Sequence, residues 1–191
     1  MAPKQTPSQT IGPFYAYGLT PEQYGYDYKQ LASNTLSEEN EEQISIRGQI
    51  FDGNGETIRD AMVEIWQADS DGRYSQPGNP SGANTKFCGF ARFSTGTQKN
   101  DYYEFLTIKP GAIGDGQAPH IAVIIFMRGL LNHVYTRIYF PDETSANETD
   151  PVLSSVNPSR RDTLIAQQET ETSYRFDVHM QGERETVFFD P

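Results

Sequence analysis

Three histidines are the first residues to consider as ligands or catalysts: His120, His133 and His179. Iron and zinc sites need several nitrogen, oxygen or sulfur donors that converge at about 2 Å from the metal. On a β-strand, residues i and i+2 lie on one face, so a His-x-His pair places two imidazoles on one metal. None of the three has that spacing, and position 122 is an alanine. The donors alone therefore predict isolated, hydrogen-bonded histidines rather than a catalytic metal centre.

Arg128 is the second candidate, because it follows the apolar run 121–127 and precedes Gly129. Its planar guanidinium suits a carboxylate, and the glycine leaves room for a ligand to approach. Two interpretations stay open for this arginine: a surface residue at a strand end or an anion clamp. The sequence shows no Gly-x-Ser-x-Gly nucleophile motif, no phosphate-binding loop and no dinucleotide fingerprint.

Short strands surround these candidates. Ile44, Ile46, Gly48 and Ile50 alternate with polar residues, which is the period-two pattern of a half-buried strand. Clusters of Gly, Asn and Asp, such as residues 52–55, mark the turns between strands. The predicted strands are 44–50, 62–68, 87–93, 102–108, 120–127, 134–140, 174–181 and 185–189. This series of short strands predicts a mostly β chain folded as a sandwich or barrel.

One helix and one irregular segment complete the prediction. Asn157 can cap a helix over 157–166 that has Pro158 at its first position. At the other end of the chain, Pro7 and Pro13 argue against a regular helix. Residues 6–15 therefore predict an extended arm that packs on another surface. The predicted organisation is an N-terminal arm with an acidic loop over 1–43, followed by one β-sandwich domain over 44–191.

Composition narrows the class of protein. The chain has 191 residues, enough for one domain with its own core. Its net charge of -11 disfavours nucleic acid and anionic membranes as partners, since both need clustered Lys and Arg. The single cysteine permits no intrachain disulfide, which favours a reducing compartment. No apolar run is long enough to cross a bilayer or resembles a signal peptide, so a soluble cytoplasmic protein is expected.

Seven segments in order resemble the intradiol ring-cleaving dioxygenases. They are TPSQTIGP at 6–13, IRGQIFDGNGETIR at 46–59, VEIWQADSDGRY at 63–74, TIKPG at 107–111, APHI at 118–121, TRIYF at 136–140, and 174–189. The segments run nearly end to end, and their combination is specific where each alone is weak. The resemblance implies a β-sandwich and an enzyme that opens a dihydroxylated aromatic ring with O₂.

The resemblance also implies a ligand set that is incomplete here. In the two-chain members of that family, the beta chain holds a ferric ion, Fe(III), with two tyrosines and two histidines. The matching positions in this sequence are Tyr74, Ile113, His120 and Ala122, so an isoleucine and an alanine stand where donors are needed. The resemblance therefore implies an alpha-type chain that binds no metal and has no catalytic residue of its own. Its partner would be a homologous beta chain that holds the iron.

In such an assembly, the arm and an arginine of the alpha chain line the substrate pocket beside the iron of the beta chain. The matching positions are Thr10, Gly12, Pro13 and Arg128, and the expected substrate is a small aromatic acid, 3,4-dihydroxybenzoate. Gly12 would admit the ring close to the backbone, and Arg128 would supply positive charge toward its carboxylate. Two alternatives stay open: a stand-alone intradiol dioxygenase with an altered metal site, and a non-enzymatic binding sandwich of the transthyretin type.

Overall fold

The computed structural model of the chain describes residues 12–37, 42–75 and 87–190. The strands are β1 (Gln43–Gly48), β2 (Ile50–Phe51), β3 (Met62–Trp66), β4 (Phe90–Ser94), β5 (Tyr103–Ile108), β6 (His120–Phe126), β7 (Val134–Tyr139), β8 (Gln167–Thr170), β9 (Ser173–Arg175) and β10 (Val178–His179). The α-helices are α1 (Pro13–Leu19), α2 (Thr144–Thr149) and α3 (Pro151–Ser155), and the 3₁₀ helices are Pro21–Tyr24, Thr95–Thr97, Lys99–Asp101 and Pro158–Leu164. No helix in these ranges is long and apolar enough to cross a membrane.

Two four-stranded sheets enclose the core. One has the order β5-β1-β9-β8 and the other the order β4-β3-β6-β7, while β2 and β10 form a separate pair. The second sheet is antiparallel throughout: β3 pairs with both β4 and β6, and β6 pairs with β7. The predicted mostly β fold and sandwich architecture are thereby confirmed.

The alternation of burial along β6 explains how this sheet is held. Ile121, Val123 and Ile125 are at most 1% exposed and belong to the core cluster between the sheets. Burying each side chain of this size contributes about 1.5–3 kcal/mol to folding. The alternate residues, Ala122 and Ile124, are partly exposed and lie on the opposite face, here called the outer face. The candidate residues of β6 and β7 lie on this outer face.

The N-terminal segment covers one end of the outer face. Thr20 Oγ1 lies 2.8 Å from Ser94 Oγ, and the backbone N–H of Ser94 donates to Gln23 Oε1 at 2.9 Å. Ser94 pairs with Met62 across the ladder, and Met62 pairs with Phe126 at the end of β6. The first described residues of the chain are therefore anchored at the Phe126 end of the outer sheet.

The prediction of an extended arm is wrong from position 13 onward, because α1 begins at Pro13. Proline suits the first position of a helix: its missing N–H would have no intrahelical acceptor there, and its φ is already helical. Gly12 is the N-cap, with extended backbone angles of φ -94 and ψ 175. Residues 1–11 lie outside the described residues, so the extended arm over 6–11 stays a prediction.

Two predicted strands differ in the structure. Residues 185–189 form no strand, and Phe189 contributes only an isolated bridge to Tyr135. Residues 174–181 divide into β9, which joins the first sheet beside β1, and β10, which pairs with β2. Between these strands the chain passes from the first sheet to the separate β2–β10 pair, and alternation along the sequence does not indicate that change.

The helix predicted over 157–166 is present as the 3₁₀ helix Pro158–Leu164, and Asn157 caps it by accepting from the N–H of Ser159 at 3.1 Å. The helices α2 and α3 were not predicted. The start of α3 nevertheless carries the same sequence signal, a capping Asp150 followed by Pro151 at the first helical position.

Candidate functional site

His120 lies at the start of β6 on the outer face and is only 4% exposed. Its Nδ1 lies 2.8 Å from the carbonyl oxygen of Ala118. Because a carbonyl can only accept, Nδ1 carries the proton and Nε2 is the unprotonated nitrogen. Burial lowers the pKa of His120, the hydrogen bond to Ala118 acts in the opposite direction, and the charge of Arg137 lowers the pKa further. The imidazole is therefore neutral near pH 7.

Tyr74 and Ile113 reach the same end of the sheet from two loops that pack together. Gly72 has φ +76, and a Cβ there would lie 2.0 Å from the carbonyl oxygen of Ala112, so only glycine fits between the loops. Tyr74 is 44% exposed. Partial burial raises its pKa, and the nearby charge of Arg137 acts in the opposite direction. Ile113 forms an isolated bridge to Gln117.

The four positions matched to the metal ligands thus gather around one side chain, Arg137. Ala122 pairs directly with Arg137 across the β6–β7 ladder. Arg137 Nη1 donates to Gln117 Oε1 at 2.8 Å, and Ile113 bridges that same glutamine. The strand ladder and the contacts of Gln117 thus connect Ala122 and Ile113 to Arg137.

The donor set does not fit a ferric ion. Ile113 and Ala122 have no side-chain donor, which leaves one phenol and one imidazole. The described residues contain no group of three or more His, Cys, Asp or Glu side chains arranged to hold a metal. A guanidinium, which cannot be deprotonated in proteins, lies among the four positions. The chemistry of these residues is that of a hydrogen-bonded surface and not of a metal centre.

Behind Arg137 lies a buried polar network. Arg137 Nη1 lies 3.4 Å from the hydroxyl of Tyr139, which donates to Asp150 Oδ1 at 3.2 Å. Asp150 is 0% exposed and also accepts from the N–H of Ala118 at 2.8 Å and of Leu153 at 2.7 Å. Burial raises the pKa of Tyr139 to about 12, so its hydroxyl stays protonated. The network ties β6 to β7 and to the start of α3.

Sequence reasoning missed Arg137, Tyr139 and Asp150. Arg137 and Tyr139 alternate within a predicted strand, but placing them beside Ala122 and His120 requires the β6–β7 register. Asp150 contacts Ala118 over a separation of 32 residues. The Asp-Pro capping signal marks Asp150 as a helix start, and no local pattern marks its contact with β6.

Arg128 lies beyond the opposite end of β6. Its side chain is 69% exposed, and Nη2 lies 2.6 Å from Oδ2 of Asp60, an ion pair without the alignment of a hydrogen bond. Asp60 also faces Tyr24 of the N-terminal segment. Burial raises the pKa of Tyr24, and the Asp60 carboxylate adds to that effect. Arg128 and the N-terminal segment therefore both lie near Asp60, at the Phe126 end of the outer sheet.

Gly12 has no internal reason to be glycine. A Cβ added there would have no atom of the described chain within 4 Å, and its φ of -94 is open to any residue. Pro13 is the first residue of α1. Thr10 lies outside the described residues, so its predicted contact with substrate has no structural description.

A groove of about 360 Å³ adjoins Arg128, and its neighbours Met127 and Gly129 line it. The polar lining comes from Asp52, Asn54 and Gln181, without a cationic side chain. An aromatic acid would meet a carboxylate there rather than a positive charge. Arg128 is therefore the candidate anion-binding group at this end. The groove is not a candidate anion site, because no cationic side chain lines it.

The two groups of candidate residues are far apart. The six residue steps from His120 to Phe126 along β6 span about 20 Å, and Arg128 lies beyond Phe126. Arg128 cannot bind a ligand held at the Tyr74 and His120 end of the same chain.

Comparison with known proteins places the chain in one family. Residues 11–182 match the family model described as dioxygenase. The alpha chain of protocatechuate 3,4-dioxygenase from Burkholderia cepacia is 48% identical over 193 residues, which cover 98% of each chain. The beta chain of that enzyme from the same organism is 31% identical over 74% of this chain and 65% of its own length. Among solved structures, an intradiol ring-cleavage dioxygenase from Tetranychus urticae superposes with a TM-score of 0.61 at 20% identity, covering 81% of this chain and 88% of that one.

Proposed function

The chain belongs to the intradiol dioxygenase family, and from that premise we propose that it is the iron-free alpha subunit of a two-chain protocatechuate 3,4-dioxygenase. The reaction opens the ring of 3,4-dihydroxybenzoate between its two hydroxyl-bearing carbons. Both atoms of O₂ enter the product, 3-carboxy-cis,cis-muconate. A homologous beta subunit supplies the ferric iron on which this chemistry depends. The chain described here binds and orients the substrate and organises the assembly.

One observation carries this proposal: the residues suited to an anionic aromatic ligand and those matched to metal ligands lie at opposite ends of β6. Arg128 is exposed, and Asp60 is its acidic neighbour in the described chain. Ile113 and Ala122 leave the other end without a complete donor set. A substrate bound by Arg128 therefore meets iron only if another chain brings it.

In the assembled site, Arg128 would donate hydrogen bonds to the substrate carboxylate, exchanging its contact with Asp60 for a charge-assisted pair. Gly12 would let the ring approach the backbone, and Pro13 would fix the direction in which the chain leaves that contact. Thr10 would complete the wall of the pocket from the arm. Family membership disfavours the transthyretin-type alternative, because the related chains are enzymes.

The proposal is tested by purifying the full chain alone and together with a beta-type chain. We expect the chain alone to hold no tightly bound iron and to consume no O₂ with 3,4-dihydroxybenzoate. With the beta-type chain, we expect ring cleavage and one iron per pair of chains. Stoichiometric iron and ring cleavage by the chain alone would instead establish a stand-alone dioxygenase.

A further inference from the structure

We propose that Arg137 excludes metal cations from the Tyr74 and His120 end of the sheet, independently of the donors missing at positions 113 and 122. This inference rests on the proposed function, in which the chain holds no iron. It adds the charge of Arg137 as a second reason, separate from the missing donors, why this chain would bind no iron. If donors were restored at positions 113 and 122, the positive charge of residue 137 would still repel a metal ion there.

The register of the outer sheet places this charge where a ligand would stand. Ala122 and Arg137 are direct cross-strand partners, and such partners have Cβ atoms about 4.5–5.5 Å apart on one face. A histidine introduced at position 122 would share that face with the guanidinium. Any cation held by residue 122 would then lie beside a like charge.

The positive charge of Arg137 has no direct counter-ion in the described part of the chain. Its hydrogen-bond partners are the neutral amide of Gln117 and the hydroxyl of Tyr139. The nearest carboxylate along this network is Asp150, which lies behind Tyr139. Two backbone N–H groups already donate to the oxygens of Asp150. No carboxylate in direct contact therefore offsets the positive charge of Arg137 on the outer face of the described chain.

The same charge lies near the imidazole that remains. His120 and Ala122 lie two residues apart on the outer face of β6, and Ala122 is the cross-strand partner of Arg137. A fixed positive charge beside this face disfavours a metal ion at the imidazole, because like charges repel. A metal ion held at this end of the sheet would therefore lie beside the fixed positive charge of Arg137.

The test restores the donors and then varies only the charge at residue 137. The starting protein is the full chain carrying Ile113→Tyr and Ala122→His. Three versions are compared: Arg137 retained, Arg137→Lys, which keeps the charge, and Arg137→Gln, which removes it while keeping hydrogen-bonding capacity. Circular dichroism and the thermal unfolding midpoint verify that each version folds. Arg137→Met is the neutral replacement to use if the Gln version does not fold.

Ferric ion is titrated into each version, and binding is followed by metal analysis and by the visible absorption of tyrosinate bound to iron. We expect the neutral version to bind iron about tenfold more tightly, or more, than the Arg and Lys versions. Equal affinity in all versions, whether high or low, would overturn the inference.

The unmodified chain is measured in parallel. Tight iron binding by the unmodified chain would refute the proposed function, and the contrast between the charged and neutral versions would still decide the role of Arg137.

Discussion

The two ends of β6 differ in how their polar groups are used. At the His120 end, the arginine, tyrosine, carboxylate and imidazole are bonded to one another or to the backbone. At the other end, Arg128 is 69% exposed, and nothing in the described chain occupies the space beside Gly12. Buried polar groups that bond to one another stabilise the fold, whereas mostly exposed groups are accessible to a ligand. In this chain, the His120 end holds the buried polar network, and the Arg128 end is the candidate for ligand binding.

The largest effect is expected from Asp150→Ala, which tests whether the His120 end is structural. The substitution removes the cap of α3 and leaves the N–H groups of Ala118 and Leu153 buried without acceptors. We expect it to lower the free energy of unfolding by about 3 kcal/mol, as measured by urea denaturation.

Two control variants accompany that measurement. Glu148→Ala, at an exposed position of α2, should change the free energy of unfolding by less than about 0.5 kcal/mol. Asp150→Asn keeps the cap and the size of the side chain and should cost less than Asp150→Ala. An Asp150→Ala variant as stable as the Glu148→Ala variant would contradict a structural role for the network.

The second effect concerns Arg128→Ala in the complex with a beta-type chain. Loss of a charge-assisted hydrogen bond should weaken substrate affinity by about 1–3 kcal/mol, seen as a raised KM in O₂ uptake. Stability should be little changed, because the side chain is mostly exposed. The matched control is Arg73→Ala, another exposed arginine with an acidic partner, Asp71 at 3.1 Å, at the other end of the molecule. If both variants bind substrate equally well, Arg128 is not part of the site.

A third, smaller effect is the pH dependence of stability that His120 confers. Burial lowers the pKa of His120, so as the pH falls the unfolded chain takes up a proton at this residue before the folded chain does. The stability contributed by the neutral imidazole is complete above the unfolded pKa of about 6.5. It is lost progressively below that value. Between about pH 7 and about pH 5.5, wild type should lose more of its free energy of unfolding than His120→Asn does, because only wild type carries this imidazole. Urea denaturation at both pH values measures this, and parallel losses in the two proteins would remove His120 as the source.

Gly12→Ser is expected to have the smallest effect on the stability of the fold. It should nevertheless have a measurable effect on substrate binding. Serine is favoured at a helix N-cap, and the space beside Gly12 is empty in the described chain. The free energy of unfolding should therefore change by less than about 0.5 kcal/mol. In the complex, the added side chain should obstruct the approach of the ring and raise KM. An unaltered KM would show that Gly12 does not contact substrate.

Local sequence signals predicted much of the fold. Alternation predicted β1 and β3, because each has one face in the core and one face outside it, and β5, β6 and β7 were also among the predicted strands. Alternation gave no correct prediction where a segment has no division into a buried face and an exposed face. All residues of β8 are exposed, and residues 185–189 make a single bridge to β7. The helix at Pro13 escapes prediction because proline disrupts a helix interior but is compatible with the first helical position, which it occupies here.

The candidate site divides in the same way. The absence of donors at Ile113 and Ala122 is a property of side-chain chemistry, so the sequence alone determined that these two of the four matched positions cannot ligate a metal. The place of Arg137 beside Ala122, the burial of Asp150 beneath Tyr139 and the separation of Arg128 from His120 were decided only by the tertiary structure. They depend on strand register and on contacts between residues distant in the chain, which follow from the packing of two sheets and not from any local pattern.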